Sequence, residues 1–148
     1  MNPSLLYFDT SALLPYYRAE AASDAVERLL RAQAQPVWIS DLVEVEFASA
    51  LARWVRTGEL EESQAHRMEA ALYDDRRAGR LLTAAIGQPE FQKAREWLGS
   101  FKTALRTLDA LHLACAHRHG HCLVTLDQRL LKAAEFWGME SLAPGTEH

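Results

Sequence analysis

The chain has 148 residues, 24% of them charged and 49% hydrophobic, with 7 Gly and 5 Pro. That is enough apolar side chain for one core and too few breakers for a collagen-like or disordered chain. A formal net charge of −4, from 20 acids and 16 bases, argues against a broad basic face that coats phosphate, while leaving room for acids gathered at one site.

No apolar run reaches the ~20 residues that cross a bilayer. Met1 to Asp9 lacks a basic stretch followed by a long apolar run, so no secretory leader is expected. Cys115 and Cys122 are too few for a disulfide scaffold and read as small buried hydrophobes in a reducing compartment. These features predict one cytoplasmic domain over residues 1–148, with no membrane partner.

In chain order, Ser4–Phe8 (SLLYF) is an apolar strand ending at Asp9, with Thr10 or Ser11 able to cap a following helix. Pro36–Ile39 is a second strand, and Ser40 then caps a helix over 41–56 that Thr57-Gly58 stops. Leu60–Ala78 is helical, with Glu59, Glu61 and Glu62 near its positive end. Gly79–Ala85 is a short strand, and Pro89–Phe101 and Thr107–His119 are helices, the second ended by Gly120. Cys122–Leu126 (CLVTL) is a strand ending at Asp127, Arg129–Trp137 is a helix stopped by Gly138, and Met139–Leu142 is a last strand. Between the helix that follows Asp9 and Pro36 no further element is assigned. Strands alternating with helices imply βαβ units and a parallel sheet covered on both faces, with the ligand site at the carboxyl ends of the strands.

Two strands end alike, LLYFD and LVTLD, which places Asp9 and Asp127 on that edge. In the 41–56 helix, Val43, Phe47, Ala50, Leu51 and Trp54 form the apolar stripe. Glu46 lies on one rim of it and Glu44 on the other, and helix geometry does not choose between them. Asp109 has Leu105 and Leu113 one turn to either side and His112 three residues on, so it points along an apolar face. Each acid alone reads as a turn residue or a surface acid; the set does not. Carboxylates ~5 Å apart at an effective dielectric near 20 repel by about 3 kcal/mol per pair. Gathered together, they raise their pKa values or bind a divalent cation, and all-oxygen ligands favour Mg²⁺ or Mn²⁺ over zinc.

The blocks YFDTSALLPYY, SDLVEVEFASAL, RTLDALHLACA and LVTLDQRLLKAA, in that order, resemble PIN-domain ribonucleases, in particular the VapC toxins of type II toxin–antitoxin pairs. The likeness runs from Tyr7 to Gly138, with no diagnostic motif between Gly58 and Thr103. Residue by residue, the family's four acids match Asp9, Glu46, Asp109 and Asp127. Glu46 is chosen over Glu44 because it stands six residues after the strand-end Ser40. The resemblance implies a PIN-like three-layer α/β/α fold with a central parallel sheet of four to five strands. It implies Mg²⁺- or Mn²⁺-dependent cleavage of RNA phosphodiesters, with the four acids holding metal and orienting water. Thr10, Ser11 and Thr125 would steady those groups from behind. It also implies a VapB-like antitoxin partner and a homodimer. The alternatives are a housekeeping PIN nuclease without an antitoxin and a catalytically silent module of the same fold.

Other readings fit less well. A receiver-like domain would carry paired acids after its first strand and a lysine at a late strand end, where only Lys132 stands near Asp127. A haloacid-dehalogenase-like site would need a second aspartate two residues after the first, which DTSAL lacks. Arginine outnumbers lysine 13 to 3, which suits phosphate recognition. Arg76, Arg77 and Arg80 form the densest basic cluster and are candidate RNA contacts, against pairing with Asp74 and Asp75; Arg18 and Arg106 are weaker candidates. Tyr16 and Tyr17 could stack a base but fit packing better. His117, His119 and His121 read as surface residues, because their spacing with Cys115 and Cys122 matches no usual zinc pattern. His112 is expected to pack or hydrogen-bond near the acids, and the four tryptophans to anchor the core or an interface.

Overall fold

A computed structural model describes residues 4–146. The first three residues of the segment searched for a leader, and the last two of the expected domain, lie outside the described residues. In order, the elements are β1 (Leu6–Phe8), α1 (Thr10–Tyr17), α2 (Ser23–Arg31), β2 (Val37–Ser40), α3 (Asp41–Arg56), α4 (Glu62–Arg77), β3 (Leu81–Ala84), α5 (Gln88–Gly99), α6 (Thr107–His119), β4 (Cys122–Val124), α7 (Gln128–Phe136) and β5 (Ser141–Leu142).

All strand pairs are parallel, and the strand order is β3-β2-β1-β4-β5. β1 and β4 sit in the middle and every one of their residues is buried. Strands covered on both faces read as continuous apolar runs rather than alternating ones. The edge strands β3 and β5 are partly exposed. Helices α1 to α4 pack on one another as one set and α5 to α7 as another, giving the expected three layers. A single apolar cluster joins the sheet to both sets, with Phe8, Ile39, Phe47, Leu113, Leu123 and Leu130 among its fully buried members. Among the described residues, no helix is long and apolar enough to cross a membrane.

Three local differences from the sequence reading have physical causes. The first helix is capped not by Thr10 or Ser11 but by Asp9, whose side chain accepts the Ala12 N–H; this frees both hydroxyls for other partners. β4 ends at Val124 rather than Leu126, because the Ser11 and Thr125 hydroxyls accept the N–H groups of Leu126 and Asp127. Asp127 then caps α7 through the N–H groups of Arg129 and Leu130. Finally, residues 19–35 contain α2. Its signal was Val26, Leu29 and Leu30 at helical spacing, with a Glu27–Arg31 pair at 2.6 Å one turn apart.

Ser40 caps α3 as expected, accepting the Val43 N–H at 3.3 Å. Gly120 ends α6 with φ +67°, a left-handed conformation in which a side chain would be strained.

Candidate active site

The chain runs outward from β1 through β2 to β3, then returns to lay β4 against the other side of β1. The carboxyl ends of β1 and β4 therefore flank the point where the winding reverses, the usual place for a ligand in an open α/β sheet. The register pairs Phe8 with Val124, and one residue further Asp9 faces Thr125.

Asp9 is 4% exposed. Its Oδ1 accepts the Ser11 hydroxyl at 2.7 Å and the Ala12 N–H at 3.0 Å, and its Oδ2 accepts the Thr125 hydroxyl at 2.6 Å. Burial pushes its carboxyl above the ordinary aspartate range, against the opposing pull of His112 and of these donors. The strand-end aspartate is thus held by two of the three hydroxyls named from the sequence, Ser11 and Thr125, together with a helix N-terminus.

Thr10 lies beside a different acid. Its hydroxyl donates to Glu46 Oε1 at 2.7 Å, and the same oxygen stands 2.6 Å from His112 Nε2. Burial by itself would raise the Glu46 carboxyl; its contacts with His112 and the Thr10 hydroxyl outweigh it and hold the group below the ordinary glutamate value. The two glutamates on the rims of α3 therefore separate: Glu46 joins Thr10 and His112, while Glu44 pairs with Arg76 at 2.8 Å.

Asp109 lies in the first turn of α6. Its Oδ2 is buried without a hydrogen-bond partner, a state that costs about 1–3 kcal/mol for a polar group. Burial, then the charges of Asp127 and Asp9, push its carboxyl up. Asp127 and Asp9 are therefore both close enough to act on Asp109, and Glu46 reaches the same helix through His112.

Does this set suit a divalent cation? The donors are all carboxylate oxygen, the choice of Mg²⁺ or Mn²⁺. One buried oxygen has no partner, and two of the acids resist ionising where they stand. Those observations fit a bound cation. Among the described residues, however, no three such side chains already form a closed ligand cluster.

Among the described residues, none of the three arginines of the basic cluster pairs with these acids. Arg80 pairs with Asp75 at 2.8 Å and immediately precedes β3, where its carbonyl accepts the Val37 N–H. Its backbone thus lies at the amino edge of the sheet, opposite Asp9. Arg76 is engaged by Glu44, and Arg77 lies over the Tyr73 ring. The pairing with acids that competed with RNA contact thus holds for Arg76 and Arg80, though Arg76 finds Glu44 rather than Asp74 or Asp75. Arg18 packs over Trp54 at 4.0 Å. Tyr17 donates to Asp75 at 2.6 Å and meets Phe47 edge-on; it is packing, as expected. His121 corrects the surface reading: it is buried, in a stack with Trp38 and His119.

Tyr7 and Ser40 were read only as strand and cap residues, yet their hydroxyls meet behind the acids, with Tyr7 Oη 2.8 Å from Ser40 Oγ and 2.7 Å from His112 Nδ1. The one available signal was a polar ring tip inside an otherwise apolar central strand.

Comparison with known proteins bears on the family and the fold. Residues 6–136 match the PIN domain family. The chain is 33% identical over 147 residues to Ribonuclease VapC35 of Mycobacterium tuberculosis, covering 95% of this chain and 98% of that protein. It is 35% identical over 142 residues to Ribonuclease VapC46 of the same organism, covering 94% and 97%. Among solved structures, a chain of VapBC2 from Rickettsia felis, bound to a DNA fragment from its promoter, superposes with a TM-score of 0.70 at 14% identity, covering 95% of this chain and 98% of that one; this likeness bears on the fold alone.

Proposed function

The chain belongs to the PIN-domain family, and we propose that it is a metal-dependent endoribonuclease, the toxin of a VapBC-type toxin–antitoxin pair. The observation that carries the reading is the partnerless buried Oδ2 of Asp109, in an acid cluster where Asp127 and Asp9 raise its carboxyl further. Asp9, Glu46, Asp109 and Asp127 are assigned to hold Mg²⁺ or Mn²⁺, directly or through water. Bound there, such an ion lowers the pKa of water and stabilises the leaving oxygen of a phosphodiester.

The protein's own groups do the positioning. Ser11 and Thr125 fix both oxygens of Asp9, and Thr10 fixes Oε1 of Glu46. Asp127 keeps Oδ1 on the α7 N-terminus, leaving Oδ2 for a ligand or water. Arg106 and Arg129, both exposed and close in sequence to Asp109 and Asp127, join Arg76, Arg77 and Arg80 as candidates to meet an RNA phosphate. The partners that go with this reading are an RNA substrate, a cognate VapB-like antitoxin and a second copy of the chain, in the cytoplasm.

The test is cleavage of total cellular RNA by the purified protein and by Asp9→Asn, with Mg²⁺ or Mn²⁺ and with EDTA, the ends mapped by sequencing. An asparagine keeps an oxygen for Ser11 and Ala12 and can donate its amide to Thr125, so the fold should stand. Discrete cuts that vanish in EDTA and in Asp9→Asn are expected. Full activity in Asp9→Asn would sink the assignment, and absence of both cuts and Mn²⁺ binding would leave the acids structural.

A further inference from the structure

Behind Glu46 runs an unbroken hydrogen-bonded chain. The Val43 N–H donates to Ser40 Oγ at 3.3 Å, Ser40 Oγ is 2.8 Å from Tyr7 Oη, Tyr7 Oη is 2.7 Å from His112 Nδ1, and His112 Nε2 is 2.6 Å from Glu46 Oε1. Tyr7 and Ser40 are 0% exposed and His112 is 3% exposed. With an ionised Glu46 and an uncharged ring, one assignment of hydrogens satisfies every link: Ser40 donates to Tyr7, Tyr7 donates to Nδ1, and Nε2–H donates to Glu46.

The chain joins the segments that carry three of the four acids. Ser40 ends β2 and caps α3, which bears Glu46; Tyr7 stands two residues before Asp9; His112 stands three residues after Asp109. The last link crosses from one helical layer to the other. A buried imidazole must find polar partners for both ring nitrogens or cost stability. Here both have them, and the outcome falls on one atom. Oε1 of Glu46 is taken by His112 and Thr10, while among the described residues no hydrogen bond reaches Oε2.

We propose that His112 is a positioning residue for Glu46, held by the Tyr7–Ser40 hydroxyl chain so that it occupies Oε1 and leaves Oε2 as the oxygen offered to a cation. The inference rests on the proposed nuclease site and deepens it. It makes part of that site rigid before any ion arrives, so the ordering of a flexible glutamate is met by folding rather than by binding.

The test measures Mn²⁺ affinity by following free Mn²⁺ in EPR titrations of the full chain. Histidine 15N spectra of the metal-free protein report the ring tautomer. His112→Leu is expected to weaken Mn²⁺ about 10–100-fold, His112→Gln to recover much of that loss through its amide donor, and His112→Leu to cost nothing further in a Glu46→Gln background. The ring should be protonated at Nε2 and bare at Nδ1. Tyr7→Phe, which removes one oxygen and keeps the ring, should weaken Mn²⁺ in the same direction and carries the test if His112→Leu does not fold. Unchanged affinity in folded His112→Leu, an equal loss in the Glu46→Gln background, or a proton on Nδ1 would each overturn the proposal. A parent protein that binds no Mn²⁺ would instead defeat the nuclease reading, and the tautomer alone would then decide whether the ring positions Glu46.

Discussion

Asp109 and Glu46 sit in one site and respond to it in opposite ways. For Asp109, burial, then Asp127 and Asp9, raise the folded-state pKa. The folded protein therefore binds this proton more readily than the unfolded chain does. The resulting penalty is full above the folded value and gone below the unfolded one, ~3.9. In EDTA, Asp109→Asn is expected to raise the unfolding temperature at pH 8 by a few degrees. That gain should shrink as pH falls through the raised value. For Glu46, burial is outweighed by His112 and Thr10, and the folded value is lowered. Its contribution is present above the unfolded value of ~4.3 and is lost as pH falls through the folded one. Glu46→Gln should therefore lower the unfolding temperature at neutral pH and do so less in acid. Thermal scans of both variants across pH 3–8 check the two signs, and a shared sign would contradict the electrostatic account.

At the scale of elements, α6 matters most, because it carries both Asp109 and His112. Its seat against α5 depends on a carboxylate that plays no part in the site. Glu90 is fully buried; it accepts the Gly87 N–H at 2.7 Å, which caps α5, and the Arg118 guanidinium at 2.9 Å. Burial alone would raise the Glu90 carboxyl, and those two donors hold it below the ordinary value. Arg118 is half exposed, so solvent screens its share, and the buried hydrogen bond at Gly87 contributes the steadier part. Glu90→Ala is expected to cost about 2–3 kcal/mol, with Glu90→Gln costing less because it keeps the acceptor. Urea denaturation midpoints at constant slope would measure both. Equal losses would show that the charge, not the cap, is what matters.

For the whole molecule, the decisive feature is the return of the chain to β4 after β3. It sets two strand ends side by side and converts separate helix caps into neighbouring acids. Carboxylates drawn together repel, and on the proposed reading a cation that binds only the folded state should stabilise it by linkage. At 100 times its dissociation constant, an ion stabilises by about 2.7 kcal/mol, or roughly 5–10 °C in a chain of this size. Mn²⁺ should therefore raise the parent's unfolding temperature in a concentration-dependent way. It should move Asp9→Asn far less. An equal shift in both would place the ion elsewhere.

The strand-end aspartates, the alternation of strands and helices and the parallel sheet were legible in the sequence, because they rest on local chemistry: apolar runs of strand length, caps and glycine stops. The four acids stand out as a set only through the resemblance, and their residue types would suit oxygen-loving cations. Local signals alone could not separate Glu46 from Glu44, since both flank the same helical stripe. In space the two part company: Arg76 takes Glu44, and His112 with Thr10 takes Glu46. Nor could they show that Arg80 lies at the far edge of the sheet, that Asp9 rather than Thr10 caps α1, or that Tyr7, Ser40 and His112 share one hydrogen-bonded chain. Residues 7, 40 and 112 are far apart along the chain, and a buried hydroxyl has no sequence signature of its partner. Sequence determined which groups were available; packing the two helical layers over the reversal point decided which of them met.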